Sequence, residues 1–347
     1  MRGRSGGRIC LLLAAVAAWV GAPGEVPAAS SPTLLAHVSG DGVVDGLYRI
    51  EVRTGERVER LARGRTRFAL PSPDRRLIVF GTGFANGLEL WTVRPDGSDR
   101  TRLTDNDMMD AAPSWSPDSE WLVFERRDVY GNDAALWIVT ADGSTERRLS
   151  ASDDSREFAP DWSVQNVIAF QQDDAVYVVA PDGGERRRLT TGSGPLWSPD
   201  GSRLLVQRGI CTACDGSDQR RALFSVAADG SEEILLVRTK HSFSSYTWSP
   251  DEQRVAFSVA GRQTWLGVVD AGGQNRRRLV EGLSHFDAQP SWSPSTSWIA
   301  FTKSSRRGAP DFWRVRPDGS GVRPVTATRR VGEIQPTWGS FPFSEVN

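Results

Sequence analysis

The sequence predicts an all-β chain folded as a single β-propeller of four-stranded blades. Three observations carry that reading: a sevenfold aromatic-to-glycine spacing, a recurring Trp-Ser-Pro-Asp turn, and a short apolar β-run after each such turn. The aromatic or bulky slot is held by Tyr48, Trp91, Trp137, Tyr177, Phe224, Leu266 and Trp313, with Val or Ile two residues later. Glycines follow at Gly55, Gly97, Gly143, Gly183, Gly230, Gly272 and Gly319. A recurrence of about 40 to 47 residues is the length of one four-stranded unit, and such units in series bury their faces against their neighbours. The 347 residues therefore read as one domain, and the 13 Trp read first as packing residues.

Each unit begins with strand A, which runs through the Trp of the turn signature. That signature is fullest at Ala112-Pro113-Ser114-Trp115-Ser116-Pro117-Asp118, with variants around Trp162, Trp197, Trp248, Trp292 and Trp338. Leu70-Pro71-Ser72-Pro73-Asp74 fills the slot without its Trp. Pro presets φ near −65° and Asp bonds the backbone two residues on, so Ser-Pro-Asp is a turn. Strand B is the apolar run, as in Leu77–Phe80, Trp121–Phe124, Val167–Phe170 and Trp298–Phe301. Strand C carries the aromatic slot, and Asp-Gly then makes a hairpin into strand D, which often reads Arg-Arg-Leu-Thr.

The two ends complement one another. Residues 34–63 supply strands B, C and D without an A, and Pro336-Thr337-Trp338 supplies an A-like strand with nothing after it. Joining them gives seven blades and no open ring edge. Six blades with a loose end are the alternative. The expected boundaries are a signal peptide over 1–29, a short linker over 30–33, the propeller over 34–342 and a tail over 343–347.

Residues 1–29 read as a secretory signal because Arg2, Arg4 and Arg8 precede an apolar run from Ile9 to Val20, followed by small residues around Ala28. The run is shorter than the roughly 20 apolar residues of a membrane-spanning helix. Cleavage would remove three Arg and one Glu, taking the formal charge from −1 to −3. A near-neutral mature chain has no basic footprint for nucleic acid. Export leaves Cys211 and Cys214, whose C-x-x-C spacing in an oxidising compartment points to a small loop disulfide, with free thiols or a metal or redox role as alternatives.

The Trp-Ser-Pro-Asp turn, the aromatic-x-Val strand ending in Asp-Gly and the Arg-Arg-Leu-Thr ending together resemble the WD40-like repeats of the TolB propeller family. The resemblance covers nearly all of residues 34–342. It implies a periplasmic or secreted propeller that binds a protein or peptide partner, in the cell envelope or outside the cell. Related repeats form the propeller of prolyl-oligopeptidase-type peptidases, but residues 34–342 contain no G-x-S-x-G nucleophile elbow.

Strand order separates two faces. The A–B and C–D turns share one end and are nearly constant in length, whereas the B–C loops and D–A connections vary. Variation on a rigid scaffold marks a recognition face. Five residues before the strand-A Trp, four blades carry an acid, Asp110, Glu157, Asp287 and Glu333, which reads as a partly acidic collar for a cation or basic segment. The competing reading is that each acid caps local backbone N–H groups. Tyr130, Asn132 and Asp133 lie in a longer B–C loop and are candidate contacts.

No cofactor is expected, although Asp105, Asp107 and Asp110 could offer oxygen ligands to calcium without the EF-hand pattern. The alternative function is a metal-dependent enzyme, lyase-like or hydrolase-like, using His241, His285 and the collar acids. Only three His exist, and fold alone supplies no chemistry. A non-catalytic monomer without a membrane span in the mature chain is the expectation.

Overall fold

The computed structural model describes residues 33–40, 45–52, 57–84, 87–128, 133–150, 156–211, 219–261, 264–283, 289–304, 310–326 and 331–339. All regular structure among them is β. Strand Val331–Gly339 pairs antiparallel with Thr33–Gly40, which continues through Gly46–Glu51 to Arg57–Arg63. Leu34 faces Trp338 and Val38 faces Glu333 across the closing ladder. The C-terminal strand thus supplies the A strand that the first blade lacks.

The other A strands, in chain order, are Thr66–Pro71, Met109–Trp115, Glu157–Trp162, Ser193–Trp197, Ser242–Trp248 and Ser291–Trp292. Each opens a four-stranded antiparallel unit, the first two being joined by one parallel bridge between Leu88 and Met109. With the closing unit, the described strands are consistent with seven blades, numbered here from the closing one.

The core lies between blades. Val123, Leu136 and Ile138 of blade 3 pack against Trp162, Ile168, Phe170 and Val179 of blade 4. At the closure, Leu34, Ala36 and Ile50 of blade 1 pack against Ala300, Phe312 and Val325 of blade 7. Strand B is covered on both faces, so its apolar run need not alternate with polar residues. Phe80, Phe124, Phe170, Phe257 and Phe301 are all fully buried.

The turns behave as their chemistry dictates. The hydroxyl of Ser116 donates to Asp118 at 2.5 Å and accepts the Trp121 N–H at 2.9 Å, while Asp118 accepts the Glu120 N–H. Ser72, Ser198 and Ser249 repeat this. The residue after the Asp is left-handed even where it is Arg75, Ser119 or Glu252. The local Asp hydrogen bonds offset that conformational cost.

One slot differs from the sequence reading. Phe80 faces Trp91, Phe124 faces Trp137 and Phe301 faces Trp313, but Phe257 faces Gly267, so Leu266 is not the slot residue. The matching turn glycine is Gly273, with φ +84°, rather than Gly272. The missing ring comes from Trp265, which lies over Gly267 and meets Phe257 edge-on with centroids 5.4 Å apart. A Cβ at Gly267 would approach Trp265 to 2.7 Å and Phe257 to 2.9 Å. Gly267→Ala should therefore cost about 1–3 kcal/mol of stability by overpacking, measurable by urea denaturation.

Candidate functional site

The variable connections meet the inner strands where the predicted acids begin. Asp110 and Glu157 sit at the start of strand A in blades 3 and 4, and both are fully buried. Asp110 takes a bidentate pair from Arg126 at 2.7 and 2.9 Å, plus the side-chain N–H of Asn106 at 2.9 Å. Burial works against the charge of Arg126, but Asp110 and Glu146 outweigh it and hold the guanidinium protonated. Glu157 pairs with Arg186 at 2.6 Å and accepts the Ser150 hydroxyl. Paired in this way, these two acids present no bare negative charge to a cation or basic segment.

The same guanidiniums cover the slot rings. Arg126 lies 4.4 Å from the Trp137 centroid, Arg208 4.2 Å from Phe224, and Arg186 5.4 Å from Tyr177. Arg208 also binds Glu233 at 2.8 Å. A carboxylate, a guanidinium and a ring thus stack in blades 3, 4 and 5, where cation–π attraction adds to the ion pair. The aromatic spacing was legible in sequence. The cation was not, because it comes from strand B in two of these blades and from near strand D in the other.

The remaining candidates separate. Asp287 and His285 lie outside the described residues, as do Tyr130, Asn132 and Cys214. Glu333 is placed in the closing strand and Cys211 at the end of a B strand, opposite Gln219, with neither side chain described. Asp133 is exposed, and its backbone closes the B–C loop by accepting the Asp128 N–H at 3.0 Å. Asp105 turns to Arg102 at 2.7 Å while Asp110 turns to Arg126, and Asp107 is exposed. His241 is exposed in a D–A connection, and His37, in a B strand, bonds Thr66 at 2.8 Å. Among the described residues, no three His, Cys, Asp or Glu converge as metal ligands.

Sequence reasoning missed Asp161, directly before the blade 4 Trp. Its carboxyl accepts the Trp197 N–H at 2.7 Å and the Ser114 hydroxyl at 3.1 Å, linking the inner strands of blades 3, 4 and 5. The signal available was a lone Asp at a position held elsewhere by Ser114, Thr247 and Ser291. Burial raises its pKa from 3.8 to about 7, against the pull of those hydrogen bonds. Between about pH 4 and 7 the folded state keeps a proton that the unfolded state has lost, so this group's contribution falls as pH rises through that window and is level above it. Asp161→Asn mimics the protonated form: its oxygen accepts from Trp197 and its amide donates to Ser114. The variant should lose that slope, on the order of 4 kcal/mol between pH 4 and 8, in denaturation curves collected across pH.

The family model for the TolB beta propeller domain matches residues 32–251, more than half the chain. A TolB homolog of Chlorobium luteolum is 29% identical over 136 residues, covering 37% of this chain and 30% of that protein. The chain spans less than two thirds of the length of the curated relatives it matches. Among solved structures, an oligogalacturonate lyase in complex with manganese superposes with TM-score 0.65 at 15% identity, covering 78% of this chain and 82% of that one. TolB from Acinetobacter baumannii gives TM-score 0.52 at 14% identity, covering 87% and 82%. At those identities the structural likeness establishes the propeller fold alone.

Proposed function

The chain belongs to the TolB beta propeller domain family, and from that premise we propose that it is an exported, non-catalytic propeller that binds a protein or peptide. The binding surface is the face carrying the B–C and D–A connections. One observation carries this reading: the two ends of the blades differ in regularity. At one end the A–B turns of blades 2 to 7 share one hydrogen bond, a serine hydroxyl accepting the backbone N–H that leads into strand B. At the other, the B–C connection shrinks to Asp173–Asp174 in blade 4 and stretches from Cys211 to Gln219 in blade 5. A scaffold fixed at one end and variable at the other is how a rigid fold presents recognition loops.

In this reading Asp110 and Glu157 are positioning residues that brace the loops through Arg126 and Arg186. Asp133, with Tyr130, Asn132, Asp287 and Glu333, contacts a basic segment of the partner. The partner resides in the cell envelope or outside the cell, and the propeller acts as a monomer. The family membership and the secretory signal read from residues 1–29 support that location.

Metal analysis of the purified mature protein tests the non-catalytic part. Substoichiometric transition metal, unchanged in His241→Ala, is the expected result. One equivalent of metal that this substitution removes would replace the binding reading with a metalloenzyme.

A further inference from the structure

Blade 7 carries an unusual gathering of positive charge on the turn face, opposite the proposed partner surface. The guanidinium carbons of Arg314, Arg316 and Arg323 lie 4.6, 5.0 and 5.3 Å from the centroid of the Trp298 indole. Trp298, Arg316, Gly321, Val322 and Arg323 line a cavity of 230 Å³. Among the described residues no carboxylate pairs with any of the three arginines. Asp318 accepts the Ser320 hydroxyl and the Ser320 N–H, the latter at 2.8 Å, and those bonds, with a smaller contribution from the Arg316 charge, hold its carboxyl below the usual carboxylate range without a salt bridge to Arg316. The buried Nε of Arg314 has no hydrogen-bond partner among the described residues.

The chain's own repeat shows what is missing. Residues 94–99 of blade 2 read RPDGSD and residues 316–321 of blade 7 read RPDGSG. In blade 2, Arg94 is held by Asp99 at 2.6 Å. In blade 7 the Asp99 position is Gly321, in the same left-handed conformation, with φ +68° against +52°. The glycine removes the counter-acid of Arg316 and also opens space over the indole, since a Cβ there would stand 3.1 Å from Trp298. Blade 6 keeps a partner at this place, where Asn275 donates to Asp270 at 2.6 Å.

We propose that this cavity is a binding site for a doubly charged tetrahedral oxyanion: free phosphate or sulfate, or a phosphate carried as a monoester. Two guanidiniums, those of Arg316 and Arg323, line the cavity, and a third, that of Arg314, lies over the same ring outside the lining; together they leave more positive charge than a single carboxylate neutralises, and their separate approaches suit a tetrahedral acceptor better than a planar one. The indole wall excludes water on one side and strengthens the attraction.

Isothermal titration of the full-length protein with inorganic phosphate and with sulfate, at fixed ionic strength, tests the site. One equivalent of either should bind, and acetate should bind at least tenfold more weakly. Gly321→Asp restores the acid that blade 2 uses and should weaken binding at least tenfold while the protein keeps one cooperative melting transition, at a temperature lowered only by the crowding of Trp298. Arg316→Ala, which removes one exposed guanidinium, should weaken it similarly. Equal phosphate affinity in Gly321→Asp, acetate binding as tight as phosphate, or no binding to the unmodified protein would each overturn the proposal.

Discussion

Arg126→Ala should destabilise the protein by about 3–5 kcal/mol, the cost of leaving a buried carboxylate without its partner. Asp110 has no exposure to water, and Arg126 supplies two of its three hydrogen bonds while also covering Trp137. Arg126→Lys keeps the charge but not the fork, so it should recover only part of the loss. Asp110→Asn combined with Arg126→Ala should be less damaging than Arg126→Ala alone, because no buried charge then remains. Chemical denaturation of the four proteins reads these differences. A loss below about 1 kcal/mol in Arg126→Ala would mean that water reaches Asp110 and that the acid is not part of the blade interior.

A chain ending at residue 330 should lose its cooperatively folded state and associate through the opened edge. Its first blade would keep Thr33–Gly40 as the innermost strand, with an unpaired edge where Val331–Gly339 had been. Leu34, Leu35, Ala36 and Val38 lie fully buried on that strand and would face the opened gap. Such an edge is a template for pairing with other chains. Size-exclusion chromatography should show oligomers or aggregate, and the melting transition should broaden or vanish. A truncated chain that elutes as the full chain does, with an unchanged melting temperature, would show that the closing strand adds little.

Much of the fold was legible because its elements repeat. Ser-Pro-Asp and Asp-Gly turns are local chemistry, so one unit read well taught the others. The closing strand was legible for a topological reason, since a blade without an A strand at one end matched an A strand without a blade at the other. The reading slipped at Leu266, where a bulky residue one position early stood in for an aromatic. The structure fills that slot from the side, with Trp265 folded over Gly267. Spacing alone does not reveal such a substitution, because it depends on which face of the strand each residue takes.

The site was less legible. The four acids were found by position, but two of them are satisfied by arginines whose place in the sequence shifts from blade to blade. Asp161 stood out only as a charged residue in a slot of small polar ones. Its titration near neutrality arises from burial between three blades, which no local pattern encodes. The arginine cluster of blade 7 was not read from the sequence: the Asp-to-Gly change between two otherwise identical hexapeptides touches only Arg316, and the fold is what gathers Arg314 and Arg323 over the same Trp298 ring.

Photocrosslinking from two positions of blade 3 tests most directly whether recognition occurs on the variable face. Asp133 and Asp142 are both exposed and stand at opposite ends of the same C strand, Ala134–Thr140. A photoreactive residue at 133, exposed to an envelope fraction from the source organism, should yield a discrete protein adduct that excess unlabelled protein competes away. The same residue at 142 should yield none. An adduct formed from 142 but not from 133, or equally from both, would contradict a partner surface built from the B–C and D–A connections.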